Sequence, residues 1–326
     1  MLRTAVCDLL DITHPVVLGG MGGGTNPELV AAVSNAGALG IQACSGRPPD
    51  EIARLAAAIR DLTGKPFGLN LLLFDMADAA LAAVLDARPP IFSSAWARPE
   101  QDLRALFARA HQAGARVMHM VSTVPEALRA AEAGADVIVA QGTEGGGHVG
   151  LMGSMVLVPL VVRAVAPVPV LAAGGVADGA GLAAALMLGA EGVLMGTRFL
   201  ATPEAPLPQS YKRVITASDG HNTLLTEIPD IASGRAWPGA YSRVTRNRLI
   251  EQWAGREGEL RYRRAEVLAR MQQAREAGDP DHGALYAGQT AGLIESIEPA
   301  AAVVARLVAD AETILRQRTG SVLGRQ

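Results

Sequence analysis

Apolar residues along this chain gather in eight short runs, at 15–19, 39–43, 66–73, 90–94, 116–122, 136–142, 168–175 and 192–199. The runs begin roughly 20–35 residues apart, the repeat of a strand followed by a helix. Most are continuous rather than alternating, as strands buried on both faces must be. Between them lie Ala/Leu-rich segments with helical spacing, at 27–36, 50–62, 98–113, 124–133 and 180–188. Each ends near a glycine (Gly37, Gly64, Gly114, Gly134, Gly189), the residue expected just past a helix C-terminus. Pro27 and Pro125 suit a first helical turn, and Asp50 reads as an N-cap. Eight strand–helix units in series predict an α/β fold, a (β/α)8 TIM barrel. A doubly wound open sheet is the alternative, but its usual count of about five to seven strands fits less well.

The pattern changes after Thr202, where Pro203, Pro206 and Pro208 interrupt it. From 211 to 277 the chain turns polar, Arg/Glu-rich and helical, and it holds Trp237 and Trp253. A loop at 279–283, a glycine-punctuated apolar stretch at 284–293 and an amphipathic helix at 299–317 follow. The predicted organisation is a barrel over 1–209, a small helical lid or substrate domain over 210–280, and a return to the barrel over 281–326. Trp237 and the lid are candidate surfaces for a homodimer.

Composition narrows the function classes. Of 326 residues, 49% are hydrophobic but only 4% aromatic, so the core must be built from Ala, Val, Leu and Met. A net charge of −3 argues against a nucleic-acid surface or a polybasic membrane patch. No apolar run reaches the ~18 residues of a membrane-spanning helix. No basic segment leads into a long apolar one at the start. A cytoplasmic protein is the expectation. Cys7 and Cys44 lie far apart without metal-ligand spacing, so buried free thiols are expected.

In a barrel the strand ends meet at one face, and chemistry belongs there. The densest candidate is Ala140-Gln141-Gly142-Thr143-Glu144-Gly145-Gly146-Gly147-His148-Val149-Gly150, which follows the sixth run. Glycines let backbone approach a flat ligand, and an imidazole among them can exchange protons near neutral pH. Gly19 to Gly24 end the first strand, Gly174-Gly175 the seventh and Met195-Gly196-Thr197 the eighth. The last two loops are the usual phosphate site of this fold. A phosphate site plus a glycine platform suits FMN better than a sugar phosphate. Gly145-x-Gly147-x-x-Gly150 matches a dinucleotide fingerprint only formally, because no acidic residue ends the following strand. Asn70, in an apolar strand, serves either a core network or a flavin ring, and Gln141 poses the same choice. His119 reads as a core histidine of unfixed orientation, and Glu144 as equally open between a structural and a site role. No paired carboxylates, Gly-x-Ser-x-Gly motif or His/Cys metal cluster is present.

Taken together, 141–150, Ala172-Ala-Gly-Gly-Val-Ala-Asp-Gly179 and Met195-Gly-Thr-Arg-Phe199 resemble the nitronate monooxygenase family, formerly 2-nitropropane dioxygenases. Pro15-Val-Val-Leu-Gly-Gly-Met21, 33–40, 65–70 and 287–293 match it too. The same superfamily holds FMN-dependent enoyl-ACP reductases, polyketide enoyl reductases and NAD(P)H:quinone reductases. The resemblance implies FMN in a barrel with a helical lid. Gly20, Met21, Asn70, Gln141, Gly146, Gly174, Gly175, Leu194, Met195, Gly196 and Thr197 would bind it, and His148 would be the catalytic histidine, with no metal. It implies oxidation of alkyl nitronates by O2 to carbonyl compounds and nitrite, or alternatively NAD(P)H-dependent reduction of an enoyl thioester. For an acyl-carrier partner, Lys212, Arg213, Arg243, Arg246 and Arg248 could form a basic patch, although solvated arginines are the simpler reading. One departure from the family pattern is Gly145, where alanine is usual.

Overall fold

The computed structural model describes residues 2–322. Eight parallel strands close into a barrel in the order β1 (Val16–Leu18), β2 (Leu39–Ala43), β3 (Phe67–Leu72), β4 (Ile91–Ala95), β5 (Arg116–Val121), β6 (Val137–Gln141), β8 (Val170–Ala173) and β9 (Gly192–Met195). Between β6 and β8 the chain inserts a short strand, β7 (Gly147–Val149), that lies outside the barrel. Seven barrel strands fall inside one of the eight apolar runs, and β4 passes the end of its run by one residue, Ala95. The open-sheet alternative is excluded, because β1 pairs with β9 through Val16↔Val193, Val17↔Leu194 and Leu18↔Met195.

The continuous apolar runs are explained by two cores. Val17, Leu39, Ile41, Ile91, Met118, Val139, Leu171 and Leu194 fill the barrel axis. Val6, Cys7 and Leu10 of the short helix Ala5–Leu10 join them. The alternate positions pack outward under the helices, as Leu18, Leu69, Phe92, Val117 and Ile138 do. Burying each such side chain contributes roughly 1.5–3 kcal/mol. Both thiols are free and buried, and burial pushes the Cys44 thiol up to about 12.

The helix boundaries follow local chemistry. Asn26, Asp102, Thr123 and Asp178 cap their helices by accepting from the amides of Leu29, Ala105, Glu126 and Gly181. Gly134 closes the helix Val124–Glu132 at φ 97°, a conformation that a side chain would resist. Asp50 is not an N-cap. The helix Pro49–Leu62 starts one residue before it, so its carboxylate sits inside the first turn and pairs with Arg54. The C-terminal helix Ala300–Val322 buries Ala300, Val303, Val304, Leu307 and Ala311 against the barrel helices, at the spacing of one helical face.

The segment predicted to be a helical lid is mixed. It has helices at Gln209–Thr216, Ile228–Ser233, Arg248–Trp253 and Glu257–Glu276, but also β10 (Thr223–Thr226) and β11 (Tyr241–Thr245). These strands form an antiparallel sheet in the order β10-β11-β7. Each is too short to show a period against the polar helical background, and β7, which completes the sheet, lies far earlier in the chain. Ile228, Val244, Leu249, Ile250, Trp253 and Leu260 give the segment a small core of its own. It is tied across the strand ends, where Arg275 donates to the Gly23 carbonyl (2.9 Å) and Arg235 lies 3.5 Å from Asp75. Among the described residues no helix is long and apolar enough to cross a membrane.

Candidate active site

The strand-end glycines converge as close contacts between segments. A Cβ on Gly20 would lie 2.7 Å from the Asn70 Cβ, and one on Gly196 would lie 3.0 Å from the Met21 sulfur. A Cβ on Gly146 would meet the Gly288 nitrogen at 2.5 Å. That amide in turn donates to Thr197 Oγ1 (3.0 Å). The structure thus brings Gly20, Met21, Asn70, Gly146, Gly196 and Thr197 to one end of the barrel. Gly174 and Gly175 adopt φ 78° and 79° after β8. The amides of Gly174, Gly175, Gly196 and Thr197 donate to no protein acceptor among the described residues. Asn70 donates to Ser93 Oγ (3.1 Å), while the buried Gln141 Oε1 has no partner. Leu194 points into the barrel axis beside Gly19, and Met195 outward under the helices, so Met195 can offer a ligand only its backbone.

His148 sits in β7, opposite Ser242 of β11. Its Nε2 lies 2.8 Å from Asp230 Oδ1 and 3.0 Å from Ser242 Oγ. Ser242 Oγ donates to Asp230 Oδ2 (2.8 Å). The imidazole is mostly buried and stacks on the Trp237 indole, with centroids 3.3 Å apart and planes within 11°. Trp237 continues into Phe74 and Trp96 at 4.5 and 6.2 Å, and its buried Nε1 has no partner. Tyr286 lies on another side of the imidazole at 5.7 Å. Burial, and next the Asp230 charge, push its hydroxyl's pKa upward. Trp237, the candidate dimer contact of the sequence, lies against the face of His148.

Three candidates resolve differently. Glu144 has a structural task beside Gly175. Its carboxylate accepts from the Ser154 amide (3.0 Å) and hydroxyl (2.9 Å), fastening the glycine loop to the helix Ser154–Val165. His119 lies outside the barrel wall, with Nδ1 2.8 Å from Ser94 Oγ and its ring against Phe107. Burial, with Arg129 adding to it, lowers its pKa to about 3, so it is a neutral core residue. Two of the five basic residues of the suggested patch are not on the surface. Lys212 is buried on the Pro203 carbonyl and Arg243 on the Thr143 carbonyl, whereas Arg248 is exposed near Asp281.

Sequence reasoning missed Asp230, Ser242 and Tyr286. They carry no local motif: Ser242 meets His148 across a sheet, 94 positions away, Asp230 comes from the helix Ile228–Ser233, 82 positions away, and Tyr286 comes from a later loop. The Ile228-Pro229-Asp230 start of a short helix was the one faint signal, because a carboxylate in a first turn is favoured there.

Among the described residues no cluster suits a metal ion. An imidazole, an unpartnered glutamine oxygen and free backbone amides at a barrel mouth suit an organic cofactor and proton transfer. Known proteins agree with that chemistry. The nitronate monooxygenase family model matches residues 3–80 and 75–310. A 5-hydroxy-7a-methyl-1-oxo-octahydro-1H-indene-4-carboxyl-CoA dehydrogenase of Mycobacterium tuberculosis is 36% identical, over 98% of this chain and 99% of that protein. A nitronate monooxygenase of Pseudomonas aeruginosa is 33% identical, over 92% and 97%. The structure of FabK from Thermotoga maritima superposes with a TM-score of 0.89 at 33% identity, covering 98% of this chain and all of that one. The family model and the P. aeruginosa relative support the nitronate reading of the sequence, and FabK fits the reductase alternative without outweighing it. With a barrel, a histidine and strand-end glycines arranged in this way, the chain is an oxidoreductase and belongs to the nitronate monooxygenase family.

Proposed function

We propose that this chain binds FMN at the barrel mouth and oxidises alkyl nitronates with O2, releasing a carbonyl compound and nitrite. Members of the family are flavoproteins, and the residues here fit FMN in particular. The free amides of Gly174, Gly175, Gly196 and Thr197 suit a phosphate, which backbone N–H groups at a helix start bind well. Gln141 Oε1 is an orphaned acceptor beside the glycine loop and would take an N–H of the ring. Gly20, Met21, Asn70 and Gly146, with the backbone of Leu194 and Met195, would line the ring. The flavin, when bound, supplies the electron acceptor.

The chain's own residues then orient the substrate and handle protons. His148 would hold a nitronate oxygen, or take the α-proton from a neutral nitroalkane. Phe74, Trp96 and Trp237 form an apolar wall that keeps water from the imidazole. Residues 210–280 would provide the substrate side of the site. The observation that carries this reading is the held imidazole of His148, which simple ligand binding would not need.

A second reading has specific support in the M. tuberculosis CoA dehydrogenase and in FabK. In it the substrate is an acyl or enoyl thioester and a nicotinamide is the second reactant. An anaerobic flavin spectrum separates the two. Bleaching by a nitronate but not by NADH or NADPH fits the first, and the reverse fits the second. In either case His148→Ala should lose turnover by about 10²-fold or more while keeping its yellow colour. Unchanged turnover in that variant would rule out the assignment of His148.

A further inference from the structure

Asp230 and Ser242 belong to the lid segment, and His148 to the barrel's glycine loop, yet the three share one hydrogen-bonded triangle. A carboxylate only accepts. For Asp230 Oδ1 to stand 2.8 Å from Nε2, that nitrogen must carry its hydrogen. The Ser242 proton is committed to Asp230 Oδ2, so a Ser242 lone pair also faces Nε2 at 3.0 Å. Both neighbours therefore demand the same tautomer. Nδ1 makes no hydrogen bond among the described residues. The flat stack on Trp237 fixes the plane of the ring, and the triangle fixes its rotation within that plane.

We propose that Asp230 is the positioning residue of this site. Helped by Ser242, it locks His148 as the Nε2–H tautomer and leaves Nδ1 as the atom that takes or gives the proton. The proposal rests on the reading of His148 as the catalytic histidine. A third group that orients a base and fixes its tautomer is a recurrent device, and loss of the tautomer alone can disable a base whose position has not changed.

The test combines 15N NMR of histidine-labelled, FMN-loaded protein with steady-state kinetics on a primary nitronate. The chain has six histidines, so the signals can be assigned by substitution. Wild type should show His148 protonated on Nε2. Asp230→Asn can donate to Nε2 as readily as accept from it, so it should move His148 towards the Nδ1–H form. Its kcat should fall roughly 10²–10⁴-fold with KM within about threefold and melting temperature little changed. Asp230→Glu should recover part of kcat. Ser242→Ala, a milder change should the Asp230 variants fold poorly, should keep the tautomer and cost roughly 3–10-fold in kcat. An Nδ1–H tautomer in wild type, or an Asp230→Asn protein with unchanged tautomer and kcat, overturns the proposal. A purely structural pair would lower the melting temperature without separating kcat from KM. If instead His148→Ala turns over like wild type, the functional reading fails on its own, and the NMR still decides what Asp230 does.

Discussion

Gly146→Ala puts the packing of the glycine loop to a direct test. Its new methyl group would sit 2.5 Å from the Gly288 nitrogen and within 2.9 Å of the Ala287 carbonyl carbon and Cα. Ordinary carbon contacts begin near 3.4 Å, so the two backbones must part by about 0.9 Å, and neither is a flexible side-chain end. Overpacking of this kind costs about 1–3 kcal/mol. At about 2.1 cal/mol/K per residue, unfolding this chain carries roughly 0.7 kcal/mol/K, so the melting temperature should drop by roughly 1.5–4 °C. The same displacement reaches His148 two residues on, and misplacing a reacting group by about 1 Å can cost up to ~10²-fold in turnover. The assay pairs thermal melts with kcat/KM on a nitronate, using Gly64→Ala as control, since a Cβ there meets nothing within 4 Å. If Gly146→Ala melts and turns over like wild type, the close approach of the 146 and 288 segments is not a constraint and the reasoning is refuted.

Glu144→Gln should destabilise by about 1–2 kcal/mol, because it replaces charge-assisted bonds from the Ser154 amide and hydroxyl by neutral ones and puts an NH2 where one carboxylate oxygen accepts the Ser154 amide; urea titration would show it as a lower midpoint at unchanged m-value. His119 stays neutral in the fold down to about pH 3, whereas the unfolded chain protonates it near 6.5. The unfolded state therefore binds the extra proton between those values. The stability contribution is complete above about pH 6.5 and falls by up to about 1.4 kcal/mol per pH unit as pH drops below it. His119→Leu should flatten that acid slope in denaturant melts at pH 5 and 7.5 and leave kcat near wild type, and an unchanged slope would exclude His119 as its source.

The barrel was legible because strands buried on both faces must be apolar at every position, and the helices between them must stop before each strand. The runs at 116–122 and 136–142 needed nothing more to be read. The orientation of His119 was not legible, since Met118 and Met120 beside it are as apolar as the outward-facing Val117 and Val121, and nothing in the local pattern says which set points to the axis. His148 could be singled out because glycines on both sides have few uses. Its partners could not, because Ser242 matters only through an antiparallel pairing across the molecule, and Asp230 only because the helix Ile228–Ser233 is folded beside that pair. Two strands in the lid were hidden for the same reason: Thr223–Thr226 and Tyr241–Thr245 acquire meaning only once β7 lies beside them.

The pairing of β7 with β11 bears on the order in which the protein becomes competent. Chains fold from the N-terminus as they leave the ribosome, and distant contacts form last. When β9 has emerged, all eight barrel strands exist, but Asp230 and Ser242 are still unmade. Until they arrive His148 has neither its cross-strand neighbour nor its carboxylate, and the stretch carrying Gly288, against which Gly146 rests, follows later still. A nascent chain can therefore assemble its scaffold well before the surroundings of His148 exist, and those surroundings wait for a nearly complete polypeptide.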